Sequence, residues 1–290
     1  MVFDPPFQIH EPARPSSGFV FDAPHSGAIY PPEFLAVSRL DPLTLRRSED
    51  AHVDALFAQM VALGSPLMRA RFPRAYLDLN REPYELDPRM FEGRLPGFAN
   101  TRSMRVAGGL GTVPRIVADG QEIYRKRFSV EEAMARIEAL YKPYHRALRQ
   151  LISRTQAGFG YAVLIDCHSM PSTSLANEDL GKVDLILGDR YGTSCSPVLT
   201  DIVENALRER GYGVARNRPY AGGYITESYG EPGVGRHALQ IEINRALYMD
   251  ERTMARRPGF DELARDLCSA FSHIIAAFED HLGQPAIAAE

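Results

Sequence analysis

The stretch that most constrains this chain is residues 161–171, YAVLIDCHSMP. An apolar run, Ala162 to Ile165, ends in Asp166-Cys167-His168-Ser169. A short apolar run bounded by polar and turn residues reads as a fully buried strand. In open α/β sheets, ligands bind just beyond the carboxyl ends of the strands. This predicts His168 at the lip of the sheet, where a metal ligand or a general base would sit. The alternative is that His168 caps a loop and Asp166 satisfies backbone amides. A second run repeats the pattern. Residues 18–23, GFVFDA, read as a strand leading into Pro24-His25-Ser26-Gly27.

Around these two strands, helical and strand patterns alternate. Residues 1–17 are Pro-rich and read as an irregular lead-in. Residues 48–63 read as a helix with Ser48 as N-cap and Val53, Leu56, Phe57 and Met60 as its buried stripe. Asp50 and Asp54, four apart, would share one face of it. Acids in the first turn also favour the helix dipole, so that placement has a purely structural reading too. Residues 65–72 and 74–79 read as strands, the second ending in Asp78-Leu79-Asn80-Arg81. Residues 82–105 read as a long loop, and such loops are often functional. Gly108 to Pro114 (GGLGTVP) lacks the Gly-Lys-Ser/Thr ending of a phosphate loop.

Residues 130–154 are the clearest helix, with Pro143 inside it as an expected kink or split. His145 beside the kink reads as structural. A polar loop is expected at 172–182, strands at 183–188 and 212–216, and a helix at 199–210 closed by Gly211. Residues 219–235, rich in Gly and Tyr, suit a loop folding over a site, or an ordinary surface loop. Residues 237–243, HALQIEI, read as the last core strand and 260–282 as an amphipathic helix, with 283–290 a loose tail. The simplest architecture is one α/β domain over 18–282, with a central mixed, mostly parallel sheet flanked by helices.

Composition narrows the function. Net charge is −4 and no basic block stands out, so nothing points to nucleic acid or an anionic membrane. No apolar run approaches bilayer length. The N-terminus shows no basic region followed by an apolar one, as a signal peptide requires. Cys167, Cys195 and Cys268 are widely spaced and odd in number, which fits free thiols in a reducing cytoplasm. A soluble protein acting on a small molecule is the expectation.

Two strand-end histidines, His25 and His168, with a nearby acid would form a two-His, one-carboxylate site. That set suits a catalytic zinc with an open position. Zinc acidifies bound water and polarises a carbonyl. Glu242, on another strand, is the candidate base. It points to the face opposite Ile241 and Ile243. A salt-bridged strand-end glutamate is the alternative. Arg81, with Asn80 beside it, could grip a carboxylate, and Arg74 could stabilise an oxyanion.

The stretches PHSGAIYP, EDAHVDALF, RAYLDLNREP, YKPYHRAL, LIDCHSMP, GGYITESYG and HALQIEINRALYMDE together resemble the N-formylglutamate amidohydrolase family, over about residues 18–280. The resemblance implies a fold related to zinc carboxypeptidases and aspartoacylase-type deacylases, and one zinc per chain. It implies hydrolysis of N-formyl-L-glutamate to formate and L-glutamate. A deacylase or carboxypeptidase acting on another N-acyl amino acid, or a non-catalytic binder of an acidic ligand, are the alternatives. It further implies His25 and His168 as zinc ligands, Glu242 as base, Arg74 as oxyanion arginine, and Asn80-Arg81 as carboxylate clamp. The carboxypeptidase relatives carry a glutamate ligand three residues after the first histidine, where this chain has Ala28. The third ligand is therefore expected at Asp50, with Glu49 and Asp54 as alternatives.

Overall fold

The structure is a computed structural model and describes residues 3–117, 120–175 and 182–283. Seven strands form its central sheet: β1 (Phe7–His10), β2 (Phe19–Ala23), β3 (Leu67–Ala70), β4 (Ala162–Met170), β5 (Leu185–Gly188), β6 (Val214–Arg216) and β7 (Arg236–Asn244). Their order across the sheet is β1-β3-β2-β4-β7-β5-β6. The four central strands, β3, β2, β4 and β7, run parallel. At one edge β1 pairs antiparallel with β3, and on the other side β5 pairs antiparallel with β7 and parallel with β6. The expected mixed, mostly parallel sheet is therefore present.

β4 lies at the centre because it can be buried on both faces, and every residue in it is buried. Val163, Ile165 and Cys167 enter one core with Leu239, Ile241 and Ile243 of β7. Helices α2 (Pro197–Arg208) and α4 (Gly259–Gly283) close that side, through Leu199 and Val203 and through Phe271, Ile274 and Phe278. Ala162 and Leu164 enter the opposite core under helix α1 (Lys142–Phe159), which supplies Tyr144, Leu148 and Leu151. The short helix α3 (Tyr224–Tyr229) also packs on that side through Ile225 and Tyr229. Period-two alternation thus reverses one face against the other along a single strand.

Several local expectations change. The lead-in is not wholly irregular, because residues 7–10 pair in register with β3. β4 does not stop at Ile165. Residues 166–170 stay paired with β7 through Met170↔Asn244, so His168 sits within the strand. The expected strand at 74–79 is a turn, with the Tyr76 and Leu77 amides donating to the Pro73 carbonyl and Arg74 pairing with Asp78. The expected helix at 48–63 is broken into Val53–Leu56 and a 3₁₀ turn at Ala58–Val61. His52 takes a left-handed φ of 67°, and Ser48 donates back to Leu45 rather than capping. The Glu49 carbonyl, which a helix would use internally, is bound instead by Arg245, as is the Arg47 carbonyl just ahead of it.

Pro143 is accommodated as expected. The helix from Val130 opens into a π turn at Ile137–Tyr141 just ahead of it and then continues as α1. Part of the polar loop, residues 176–181, and nearly all of the expected tail lie outside the described residues.

His145 is structural. Its Nε2 donates to the Leu79 carbonyl (2.9 Å) and its Nδ1 accepts from Tyr229 Oη (2.8 Å), tying α1 to the 73–81 turn and to α3. Burial pushes its pKa down from 6.5 to about 4. Between those values the unfolded chain binds a proton that the folded chain does not, so stability falls as pH falls. Going from about pH 7 to about pH 5 should cost about 2 kcal/mol through this residue. Urea unfolding of His145→Gln should show a shallower pH dependence over that range; an identical slope would remove His145 from the account.

Candidate active site

β2 delivers its chain end into the Pro24–Gly27 turn. A side chain at Gly27 would place Cβ 2.0 Å from the Phe72 carbonyl, so only glycine lets this turn lie against the chain leaving β3. The turn then fixes its neighbour. The His25 carbonyl accepts from the Asp50 amide (3.0 Å) and Ser26 Oγ donates to the Asp50 carbonyl (3.0 Å). His168 arrives from β4 on the adjacent track. The two imidazole centroids are 4.8 Å apart.

His25, Asp50 and His168 form a buried group that could hold a metal ion, with one ligand atom from each all within 4.8 Å of one another. Asp50 Oδ2 lies 2.8 Å from His168 Nδ1 and 3.4 Å from His25 Nδ1. The far side of each ring faces a carboxylate: His25 Nε2 is hydrogen-bonded to Asp78 Oδ1 at 2.8 Å, and His168 Nε2 lies 2.8 Å from Asp166 Oδ1 as an ion-pair contact without hydrogen-bond geometry. A hydrogen-bonded carboxylate such as Asp78 sets the tautomer and orients a ligating histidine. With Nε2–H directed at Asp78, His25 Nδ1 keeps its lone pair, and this buried atom has no hydrogen-bond partner among the described residues. A cation between the two Nδ1 atoms and Asp50 satisfies all three. Burial disfavours the Asp50 charge, but the hydrogen bond with His168 and the closeness of both imidazoles hold its pKa well below the usual carboxylate range.

The other two candidate ligands go elsewhere. Glu49 accepts from Tyr30 Oη (2.6 Å) and Arg46, and Asp54 pairs with Arg69. The broken helix explains this, because Asp50 and Asp54 no longer share a face.

Glu242 is the register partner of His168 on β7, so the two side chains stand side by side on one face. Burial pushes its carboxyl up to about 7, with His168 opposing. It accepts from Gln240 Nε2 at 2.8 Å. Glu242, Arg74, Asn80 and Arg81 all line one cavity of about 560 Å³. Arg47, Arg105 and Arg245 add cationic wall, and residues 219–223 line one side; of the loop expected at 219–235, residues 224–229 form α3 instead. Arg74 Nε donates to Asp78 Oδ2 (2.9 Å). Arg81 gives Nε to the Leu110 carbonyl and Nη1 to the Asn80 carbonyl.

Asn80 differs from its expected part in a carboxylate clamp. Its Oδ1 accepts from the Ile225 amide (2.8 Å), and its Nδ2 lies 3.2 Å from Asp166 Oδ2 and 3.1 Å from His168 Nε2. The amide is committed at both ends and joins α3 to the carboxylate behind His168. Gly223 permits this, since a Cβ there would lie 2.3 Å from Asn80 Oδ1.

Sequence reasoning missed Asp78, Asp166 as a partner of His168, Ser169 and Arg245. Asp78 was visible as the acid two residues before Asn80. Nothing in local spacing marks Arg245.

An α/β sheet carrying a His–Asp–His group beside a buried carboxylate, under a cationic cavity, has the equipment of a hydrolase. The model of the family described as FGase, N-formylglutamate amidohydrolase, matches residues 17–249. An N-formylglutamate deformylase of Pseudomonas aeruginosa is 33% identical over 220 residues, spanning 74% of this chain and 77% of the relative. One of Pseudomonas putida is 31% identical, spanning 70% and 71%. The crystal structure of N-formylglutamate amidohydrolase from Ralstonia eutropha JMP134 superposes with a TM-score of 0.89 at 38% identity, covering 95% of this chain and 99% of that one. The chain belongs to the N-formylglutamate amidohydrolase family.

Asn80→Ala separates a positioning role from a substrate clamp. It leaves the Ile225 amide and the Asp166 carboxylate short of a buried partner, at about 1–3 kcal/mol for each such group. Chemical unfolding should show that loss; unchanged stability with only a raised KM would restore the clamp.

Proposed function

We propose that this chain is a zinc-dependent amidohydrolase that cleaves N-formyl-L-glutamate to formate and L-glutamate. The observation that carries the reading is the buried His25–Asp50–His168 group with Glu242 in register beside it, at the base of an arginine-lined cavity. Bound by these three residues, zinc supplies a Lewis acid that acidifies water and polarises the formyl carbonyl. Two histidines and a carboxylate, with an open position, are a donor set that zinc accepts.

The chain's own residues do the rest. Glu242 takes a proton from the attacking water and delivers it to the amine nitrogen as the C–N bond breaks. Its carboxyl, lifted toward neutrality by burial, is matched to both acts. Arg74 lines the cavity and stabilises negative charge on the former carbonyl oxygen. Arg81 binds a substrate carboxylate. Although burial lowers its pKa to about 10, it remains a cation at neutral pH. N-formyl-L-glutamate carries two carboxylates, which a cavity bordered by five arginines, with Asp78 and Glu242 as its acids, accommodates. Residues 18–282 act as one catalytic domain. The free thiols Cys167, Cys195 and Cys268 agree with work in the cytoplasm.

The test is formate release from N-formyl-L-glutamate by metal-analysed protein, with and without a chelator. Zinc near one per chain and chelator-sensitive release are expected; release that survives complete metal removal would overturn zinc dependence. Glu242→Gln should retain zinc and lose about 10²–10⁴-fold in kcat. Near-parent turnover in a zinc-loaded Glu242→Gln would remove it as the base.

A further inference from the structure

Arg245 stands just past the end of β7, opening a 3₁₀ turn at Arg245–Leu247, and is 5% exposed. Four of the five N–H groups of its guanidinium donate hydrogen bonds. Nε donates to Ser169 Oγ (3.0 Å) and Nη1 to the Arg47 carbonyl (3.0 Å). Nη2 donates to the Glu49 carbonyl (2.7 Å) and to Asp50 Oδ1 (3.1 Å). Three of its four acceptors belong to the short segment that carries Asp50. Ser169 Oγ donates to the same Asp50 oxygen at 3.1 Å. One oxygen of Asp50 therefore holds two donors. The other, Oδ2, faces His168 Nδ1 and His25 Nδ1.

We propose that Arg245 is a positioning residue that, with Ser169, holds Oδ1 of Asp50 so that Oδ2 alone is offered to the metal ion. The inference rests on the metal reading given above. Its physics makes a signed prediction. A fixed positive charge beside a ligand repels a dication, so by Coulomb's law alone, removing Arg245 strengthens metal binding. If Arg245 acts by holding geometry, removing it weakens binding, because Asp50 is then free to turn and the broken segment loses its anchor. Planar, forked donation is the property that lysine lacks. Arg245→Lys therefore keeps the charge and loses the clamp.

The experiment is zinc competition against a chromophoric chelator on the full chain, comparing parent, Arg245→Gln, Arg245→Lys and Ser169→Ala. Positioning predicts zinc affinity about 10- to 100-fold weaker in both arginine variants, as for other partners of metal ligands. Ser169→Ala, which removes one of the two donors, should weaken binding less. In Co²⁺-loaded protein, visible absorption should fall in the arginine variants as the released Oδ1 joins the ion and coordination rises. Parent-like or tighter zinc binding in a folded Arg245→Gln overturns the proposal, as does a parent-like Co²⁺ spectrum. If the arginine variants do not fold, Ser169→Ala decides, and parent-like affinity there overturns it. A parent that takes up no zinc, or a His25→Ala that binds zinc like the parent, instead overturns the metal reading itself.

Discussion

The structure depends on a chain of buried charges that satisfy one another. Asp78 backs His25, Asp50 lies between His25 and His168, and Asp166 stands behind His168. Arg74 balances Asp78, and Arg245 balances Asp50. Every carboxylate in this chain is at most 2% exposed. Removing one partner from such a set typically costs about 3–5 kcal/mol, because a buried charge is left alone. That cost forces the elements to meet in one arrangement. The turn after β2, the 48–52 segment, the 73–81 turn and the middle of β4 each supply at least one member, so none can shift alone.

This constraint explains where local patterns are overridden. Residues 48–63 carry a helical stripe, and Val53, Leu56, Phe57 and Met60 are indeed buried. The backbone nevertheless breaks at His52, because a continuous helix would aim Asp50 and Asp54 the same way. The break lets Asp50 join His25 and His168 while Asp54 turns outward to Arg69. The turn at 74–79 has a similar origin. A strand there would send alternate residues to opposite faces. The observed turn instead brings Arg74 and Asp78 together and points Asp78 at His25.

Legibility in the sequence follows the same division. The central strands were readable because burial on both faces writes a continuous apolar run, as in residues 162–165. The long helices were readable from their stripes, and the kink or split expected at Pro143 is a π turn just ahead of it in a helix that continues. His25, His168 and Glu242 stood out as polar residues at or near the ends of such runs, and the structure gathers them at one place. Asp50 needed the family resemblance, since spacing alone left Glu49 and Asp54 equal to it. Asn80's true neighbours, Asp166 and Ile225, are 86 and 145 residues away. Arg245 meets Asp50 across 195 residues. Contacts of that range leave no periodicity, so no local pattern can announce them.

The same logic sorts the arginines of the cavity by what their N–H groups already hold. Arg245 is spent on Asp50, Ser169 and two carbonyls, and Arg74 shares its Nε with Asp78. Arg81 differs, because its two bonded groups go to neutral carbonyls rather than to an acid. Its nearest approach to Asp78 is 3.7 Å. A guanidinium held in place by carbonyls keeps its fork oriented, while Asp78 at 3.7 Å offsets part of its charge. The oriented fork suits bidentate capture of an incoming carboxylate. Arg105, 4.0 Å from Glu85 and about one-third exposed, is a looser cation at the same wall. The cavity wall thus carries one cation held by carbonyls and one looser cation, while Arg74 and Arg245 are occupied with Asp78 and Asp50.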